Sequence, residues 1–207
     1  TAADNAYAVT TDSTGAVYVA GGTAGNLAAS NATAARDFFL SKYAANGSLL
    51  WTWQYGSTPS PDDGSFAGDD YLLSIAVDSN DNVYVGGLSD SSFPDYSNSG
   101  GGYIGYVAKF DPNGNQLWHR YVRNGPNNDG EDVRIESIAV NRNDQSVIVA
   151  GTVYFGGSIM SDIFLRKYTT DGAVSWGATF GSVSNDQTIA QDYNARVAVD
   201  ATGAMYV

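Results

Sequence analysis

Cysteine is absent from the chain. That excludes a disulfide scaffold, a thiol nucleophile and a thiolate metal site. Histidine occurs once, at His119, so the familiar histidine triads and zinc sites have almost no material to work with. Basic side chains are scarce: 10 Lys and Arg stand against 22 Asp and Glu, a net charge of −12. A surface this acidic lacks the basic footprint that nucleic acid or an anionic membrane needs. It leaves room for cations, glycans or a basic partner. Long apolar runs are also missing. None approaches the roughly 18–20 residues of a membrane-spanning helix, and no membrane insertion is expected. Glutamate is confined to Glu131 and Glu136, so the acid is nearly all Asp, a turn former and not a helix former.

What is present points to packed sheets. Hydrophobic residues make up 43% and aromatics 13%, with 24 glycines, a globular and turn-rich balance that suits sheet-on-sheet packing. A chain of 207 residues is long enough to bury a sizeable core. It begins at Thr1 and stops at Val207 inside a strand-like run, and is expected to be a piece of a longer chain.

Two segment types recur. The first runs Tyr7-Ala-Val-Thr-Thr-Asp-Ser-Thr-Gly-Ala-Val-Tyr-Val19 and returns at 73–85, 136–149 and 194–207. Its core reads close to Ala-Val-Asp-x-x-x-x-x-Val-Tyr-Val. Asp12, Asp78, Asn141 and Asp200 open the turn, and the third copy carries an extra turn residue. The second segment runs Phe39-Leu-Ser-Lys-Tyr-Ala-Ala-Asn-Gly-Ser-Leu-Leu-Trp51 and returns at 106–118 and 164–176. Lys42, Gly47 and Trp51 reappear at identical spacing as Lys109, Gly114 and Trp118, and as Lys167, Gly172 and Trp176. These are the only lysines in the chain.

Each segment reads as a hairpin: β-branched and aromatic runs flank a turn of Asp, Asn, Ser and Gly. Helical periodicity is absent. Two hairpins per period of about 60 residues give a four-stranded sheet that must stack on its neighbours, the pattern of propeller blades. The expected fold is all-β, a β-propeller with three complete four-stranded antiparallel blades plus the first hairpin of a fourth, an incomplete ring. Blade boundaries are expected near 4–69, 70–131, 132–191 and 192–207. With a third-to-fourth-strand turn at 44–47, Lys42 faces Leu49 and Leu40 faces Trp51. Leu40, Lys42, Trp51 and Trp53 then share one face, with the lysine stem along the tryptophan.

The pair Ala-Val-Asp-x-x-x-x-x-Val-Tyr-Val-x-Gly and Lys-[Tyr/Phe]-x-x-[Asn/Asp]-Gly-x-x-x-Trp resembles the bacterial SBBP-type (seven-bladed) β-propeller repeat family over nearly the whole chain. The resemblance implies an exported or cell-surface bacterial protein, extracellular in location, and supplies no catalytic residues. The Gly-x-x-x-Trp element is also similar to the tryptophan-docking motif of quinoprotein propellers. That motif has an acid four residues before the Gly, where this chain has Tyr43, Phe110 and Tyr168. The likeness is one of packing and not of a quinone cofactor. Three and a half blades do not close a ring, so further blades of the same chain, or other copies, are expected to complete it.

Site candidates lie outside the repeats. The acidic loops 61–70, 127–132 and 185–192 precede the blades, and Asp4, Asp70, Asp132 and Asp192 are candidates to ring a channel mouth and hold calcium. Equally, each is a strand-starting Asp bonded to its own loop. Asp78 to Asn82 and Asp111 to Asn115 read Asp-x-Asn-x-Asn, like the start of a calcium loop, but lack its later Gly and acid and fall where ordinary Asx-turns belong. His119 reads as an outer-strand residue. Asp62 with Asp63, and Asp69 with Asp70, are adjacent in sequence and so are not placed across a substrate. The second-to-third-strand loops, Gly21 to Arg36, Gly87 to Gly102 and Thr152 to Asp162, vary most. Phe93, Tyr96, Tyr103 and Tyr154 are the candidate contacts there for a glycan or protein. The expected function is a non-enzymatic binding or scaffold module. Alternatives are a propeller enzyme, polysaccharide-active or quinone-dependent, and a structural spacer of a surface protein.

Overall fold

The computed structural model describes residues 3–28, 35–57, 68–98, 102–123, 132–154, 161–181 and 194–207. It contains three four-stranded antiparallel sheets and one two-stranded hairpin. Blade 1 is β1 (Asp4–Thr11), β2 (Val17–Thr23), β3 (Asp37–Tyr43) and β4 (Leu49–Tyr55). Blade 2 is β5 (Asp70–Val77), β6 (Val83–Ser89), β7 (Ile104–Phe110) and β8 (Gln116–Val122). Blade 3 is β9 (Asp132–Asn141), β10 (Ser146–Tyr154), β11 (Ser161–Tyr168) and β12 (Val174–Phe180). The hairpin β13 (Ala198–Val199) and β14 (Met205–Tyr206) begins a fourth. Within a blade the strands lie in chain order, here lettered a to d. The a strands of successive blades touch one another, which puts them nearest the axis and the d strands outermost. The described blades are an all-β propeller arc with no helix, and the ring is not closed.

In three of the four a–b turns an Asp folds the turn. Asp12 Oδ1 accepts from the Thr14 and Ala16 N–H groups (both 3.0 Å), Asp78 Oδ1 from Asn80 and Asn82 (both 2.9 Å), and Asp200 Oδ1 from Thr202 and Ala204. These are Asx-turns. Asp111 does the same in a c–d turn, accepting from Asn113 and Asn115. The resemblance of both Asp-x-Asn-x-Asn segments to calcium loops therefore ends at the backbone.

The third turn position has positive φ in every blade, with Gly15 and Gly203 in the outer two and Asp81 (φ 61) and Gln145 (φ 56) in the inner two. The two side chains in this costly conformation are those that reach back across a seam. Asp81 accepts from the Ser13 N–H and hydroxyl (2.9 and 2.6 Å), and Gln145 accepts from the Ser79 hydroxyl (3.1 Å).

Hydrophobic burial lies between blades and not in one centre. Phe38, Leu40, Ile104 and Tyr106 fill the seam between blades 1 and 2. Tyr84, Val107, Ile135 and Val149 fill the next. Ile148, Leu165, Ala195 and Val197 fill the third. Lysines and tryptophans of the repeat sit on the first two of these seams. Trp51 Nε1 and Lys42 Nζ both donate to the Pro112 carbonyl (3.2 Å each) in the c–d turn of blade 2. Trp118 Nε1 and Lys109 Nζ both donate to the Thr170 carbonyl (2.9 and 3.4 Å) in the c–d turn of blade 3. The Trp176 indole N–H makes no hydrogen bond among the described residues.

Two details differ from the sequence expectation. Every c–d pair carries a bulge just after the lysine, so Lys42 pairs with Trp51 and Leu40 with Trp53. The extra residue, Leu50, shifts the register while leaving all four side chains on the expected face. The ring under the lysine is also a tyrosine: Lys42 Nζ stands 4.9 Å from the Tyr18 centroid and Lys109 Nζ 4.9 Å from Tyr84. Tyr18 and Tyr84 lie on strand b beside the lysine in register, and each hydroxyl reaches the Asp of its own turn.

Candidate functional site

One rim of the arc collects the b–c loops together with the starts of strands c and a. The two are tied across the first two seams by the same backbone bonds. The Asp70 N–H donates to the Arg36 carbonyl (2.9 Å) and the Val133 N–H to the Tyr103 carbonyl (2.8 Å). In return, Asp69 Oδ1 accepts from the Arg36 N–H (3.2 Å) and Asp132 Oδ1 from the Tyr103 N–H (3.0 Å). Bulges in strand a fix the correspondence: Leu72 pairs with Gly87 and Ile135 with Gly151 at the bulge. Counting back, Tyr71 is equivalent to Arg134, Asp70 to Val133 and Asp69 to Asp132.

The rim acids therefore do not form one equivalent set. Asp4 and Asp70 share a position, but Asp132 belongs with Asp69. Asp4 accepts from the Thr23 hydroxyl. Asp132 is bound to Tyr103 as above. Asp70 is fully buried. Among the described residues no three His, Cys, Asp or Glu side chains gather as a metal set. Asp192, and most of the acidic loops with Asp62 and Asp63, lie outside the described residues.

Asp70 is costly where it sits. Its Oδ2 accepts from the Ser57 N–H (2.6 Å), and its Oδ1 has no hydrogen bond. Burial pushes its carboxyl well above the ordinary range; Ser89 and Ser57 oppose the rise, and the Asp37 charge adds to it. A group raised on folding stabilises at pH below its unfolded pKa of about 3.9 and loses that stabilisation as pH rises toward its folded value. Asp70→Asn keeps an acceptor for Ser57 and removes the charge. It is expected to raise stability by about 1–3 kcal/mol at pH 7.5, with the gain vanishing near pH 3.5, as read from urea midpoints at both values. A less stable variant at pH 7.5 would contradict this.

Of the aromatic candidates, Phe93 is not surface. It is 4% exposed and stacks on Phe38 (5.9 Å) and Tyr55 (5.2 Å) in the first seam. Tyr96 lies half-buried on Tyr121 (4.4 Å). Between them Asp95, which the sequence reading missed, clamps the loop. Its Oδ1 accepts from Tyr121 (2.6 Å) and Tyr55 (3.2 Å), and its Oδ2 meets His119 Nε2 at 2.8 Å. His119 is thus an outer-strand residue with a specific structural partner. Burial and the Asp95 neighbour push the Tyr55 phenol up to about 12. Tyr103 and Tyr154, far apart in sequence, come together on Arg134, with the guanidinium carbon 4.3 and 5.1 Å from the two ring centroids.

A cavity of about 500 Å³ runs along the a strands. Its wall is mostly repeat-equivalent residues such as Thr11, Val77, Val140 and Val199, and Arg142 is its one irregular charge.

Residues 50–94 match the family described as beta-propeller repeat, SBBP. The chain carries an SBBP β-propeller repeat. The matched SBBP segment begins in strand d of blade 1 and continues through the a–b hairpin of blade 2. The sequence unit is therefore offset from the blade: it joins strand d of one blade to the first hairpin of the next. No curated protein matches the chain.

Proposed function

We propose that this propeller arc is a non-enzymatic binding module of an exported bacterial protein, and that it holds a glycan or a protein partner at the b–c rim. The observation carrying this reading is the division of labour among side chains. Repeated polar groups are spent on the fold: Asp12, Asp78 and Asp200 in turns, and Lys42 and Lys109 in seams. Side chains whose identity does not repeat from blade to blade, Tyr96 on one side and Tyr103, Arg134 and Tyr154 together on another, lie on the rim and stay partly exposed. Irregular residues held by a rigid scaffold are the usual seat of recognition. Export rests on the repeat type and on the acidic, cysteine-free composition. The open end, where Met205, Tyr206 and Val207 are exposed and Trp176 lacks an acceptor, is proposed to be covered by further blades or by another copy.

A glycan array tests the rim. Wild-type protein is expected to bind one or more arrayed glycans. The Tyr96→Ala/Tyr154→Ala variant, with an unchanged circular dichroism spectrum, is expected to bind at least about tenfold more weakly, as loss of aromatic anchors implies. Equal binding by both proteins would overturn the rim assignment.

A further inference from the structure

Two equivalent seams use the same parts in opposite order. In the seam between blades 1 and 2, Arg36 stands just before strand c and Tyr71 on strand a. The guanidinium lies over the tyrosine ring at 5.9 Å. It is neutralised by Asp69 at 2.9 Å and also donates to the Tyr71 hydroxyl at 3.2 Å. In the seam between blades 2 and 3 the positions are exchanged, with Tyr103 before strand c and Arg134 on strand a. A second ring, Tyr154 at the end of strand b, also lies against the guanidinium.

The exchange removes the counter-ion. Asp132, equivalent to Asp69, is held by the Tyr103 N–H and forms no ion pair with Arg134. Among the described residues the Arg134 guanidinium makes no salt bridge and no hydrogen bond. Its Nε is sealed from solvent without a partner, while the residue as a whole is only half-buried. A guanidinium packed against two rings and stripped of one hydration site is costly unless an acceptor meets its remaining N–H groups. The rings fix the plane of the fork, so little ordering remains to be done when a planar acceptor arrives.

We infer that Tyr103, Arg134 and Tyr154 form a receptor for a carboxylate such as an acidic sugar carries. This rests on the rim-binding reading and names its ligand class. A carboxylate fits the fork bidentately. The net charge of −12 and the nearby Asp132 weigh against multiply charged phosphates, whose repulsion grows with each added charge. A monoanion on an otherwise neutral ligand meets the least opposition.

The test is a side-chain NMR titration of the arginine Nε–Hε signals with sodium D-glucuronate, sodium acetate and, as the neutral control, methyl β-D-glucopyranoside. The Arg134 signal is assigned by its loss in Arg134→Lys. Expected is a saturable shift of that signal with glucuronate and acetate and none with the glucoside. Arg134→Lys keeps the charge without the fork. It is expected to bind glucuronate, followed by backbone amide shifts, at least about tenfold more weakly. Tyr103→Leu, which keeps the arginine but loses one ring, is expected to weaken binding likewise. Equal affinity in wild type and Arg134→Lys, or no saturable shift with either carboxylate, would overturn the receptor. If the array still shows rim-dependent glycan binding while the carboxylates fail, the receptor falls and the rim reading stands.

Discussion

Gly114→Ala and Gly172→Ala are expected to destabilise the protein by about 2–4 kcal/mol each, and Gly47→Ala by only about 1 kcal/mol. All three glycines hold the same place in a c–d turn with positive φ, 85° for Gly47, 89° for Gly114 and 77° for Gly172. Each alanine therefore meets the same backbone penalty. The surroundings differ. A Cβ on Gly114 would lie 2.9 Å from Trp51 Cδ2, and one on Gly172 would lie 2.7 Å from Trp118 Cδ2, whereas a Cβ on Gly47 meets nothing within 4 Å.

The turn glycine of one blade is thus the floor on which the tryptophan of the preceding blade rests. The neighbouring carbonyls, Pro112 and Thr170, take the indole N–H. A methyl group there forces the indole off its acceptor as well as off its packing. Urea melts of the three variants, compared at constant m-value, check the ranking. Equal losses at all three positions would mean that the glycines serve only the turn.

How much of this was legible in the sequence depends on whether the cause repeats. Lys42, Gly47 and Trp51 announce a shared structural role because the spacing returns twice, and the structure places Lys42 and Trp51 on a seam and Gly47 in the c–d turn. The bulge after the lysine stayed hidden because Leu50 is chemically like its neighbours: an inserted apolar residue in an apolar run changes register without changing composition. That also concealed the tyrosine. Which ring lies under Lys42 follows from its pairing with Tyr18 on strand b, and a pattern read along one strand says nothing of the strand beside it. The rim acids misled for a different reason. Loops before strand a vary in length, so Asp70 and Asp132 seemed matched until the bulges at Leu72 and Ile135 set the count. Arg134 carried no signal at all. Tyr103 and Tyr154 were singled out as aromatic loop residues, but what joins them is a cation on a third element, and only the blade stacking brings those three together.

The second large effect is electrostatic, and it too has an internal control. Lys42→Met is expected to cost about 3 kcal/mol or more at pH 7, in the range for stripping one member from a buried pair, and Lys167→Met less than about 1 kcal/mol. Lys42 is buried. It meets Asp12 Oδ2 at 3.0 Å, with the two side chains 9% and 1% exposed, and also holds the Pro112 carbonyl across the seam. Lys167 lacks the matching aspartate, since Asn141 stands there, and pairs instead with Asp144, which is 49% exposed and already solvated. Burial pushes the Asp12 carboxyl up, but bonds from Thr14, Lys42 and Ala16 outweigh it and hold it at about 2. A carboxylate lowered on folding stabilises above its unfolded pKa of about 3.9 and loses that contribution as pH falls through its folded value. Wild-type protein should therefore keep the Lys42–Asp12 contribution down to about pH 4 and lose it toward pH 2. Without Lys42 the carboxyl titrates higher and neutralises sooner, so the penalty of Lys42→Met should shrink by pH 3 while that of Lys167→Met stays small throughout. Chemical denaturation of both variants at pH 7 and pH 3 measures this. A Lys42→Met penalty that is the same at both pH values would mean that the lost packing of the lysine stem, and not the stranded charge of Asp12, sets the cost.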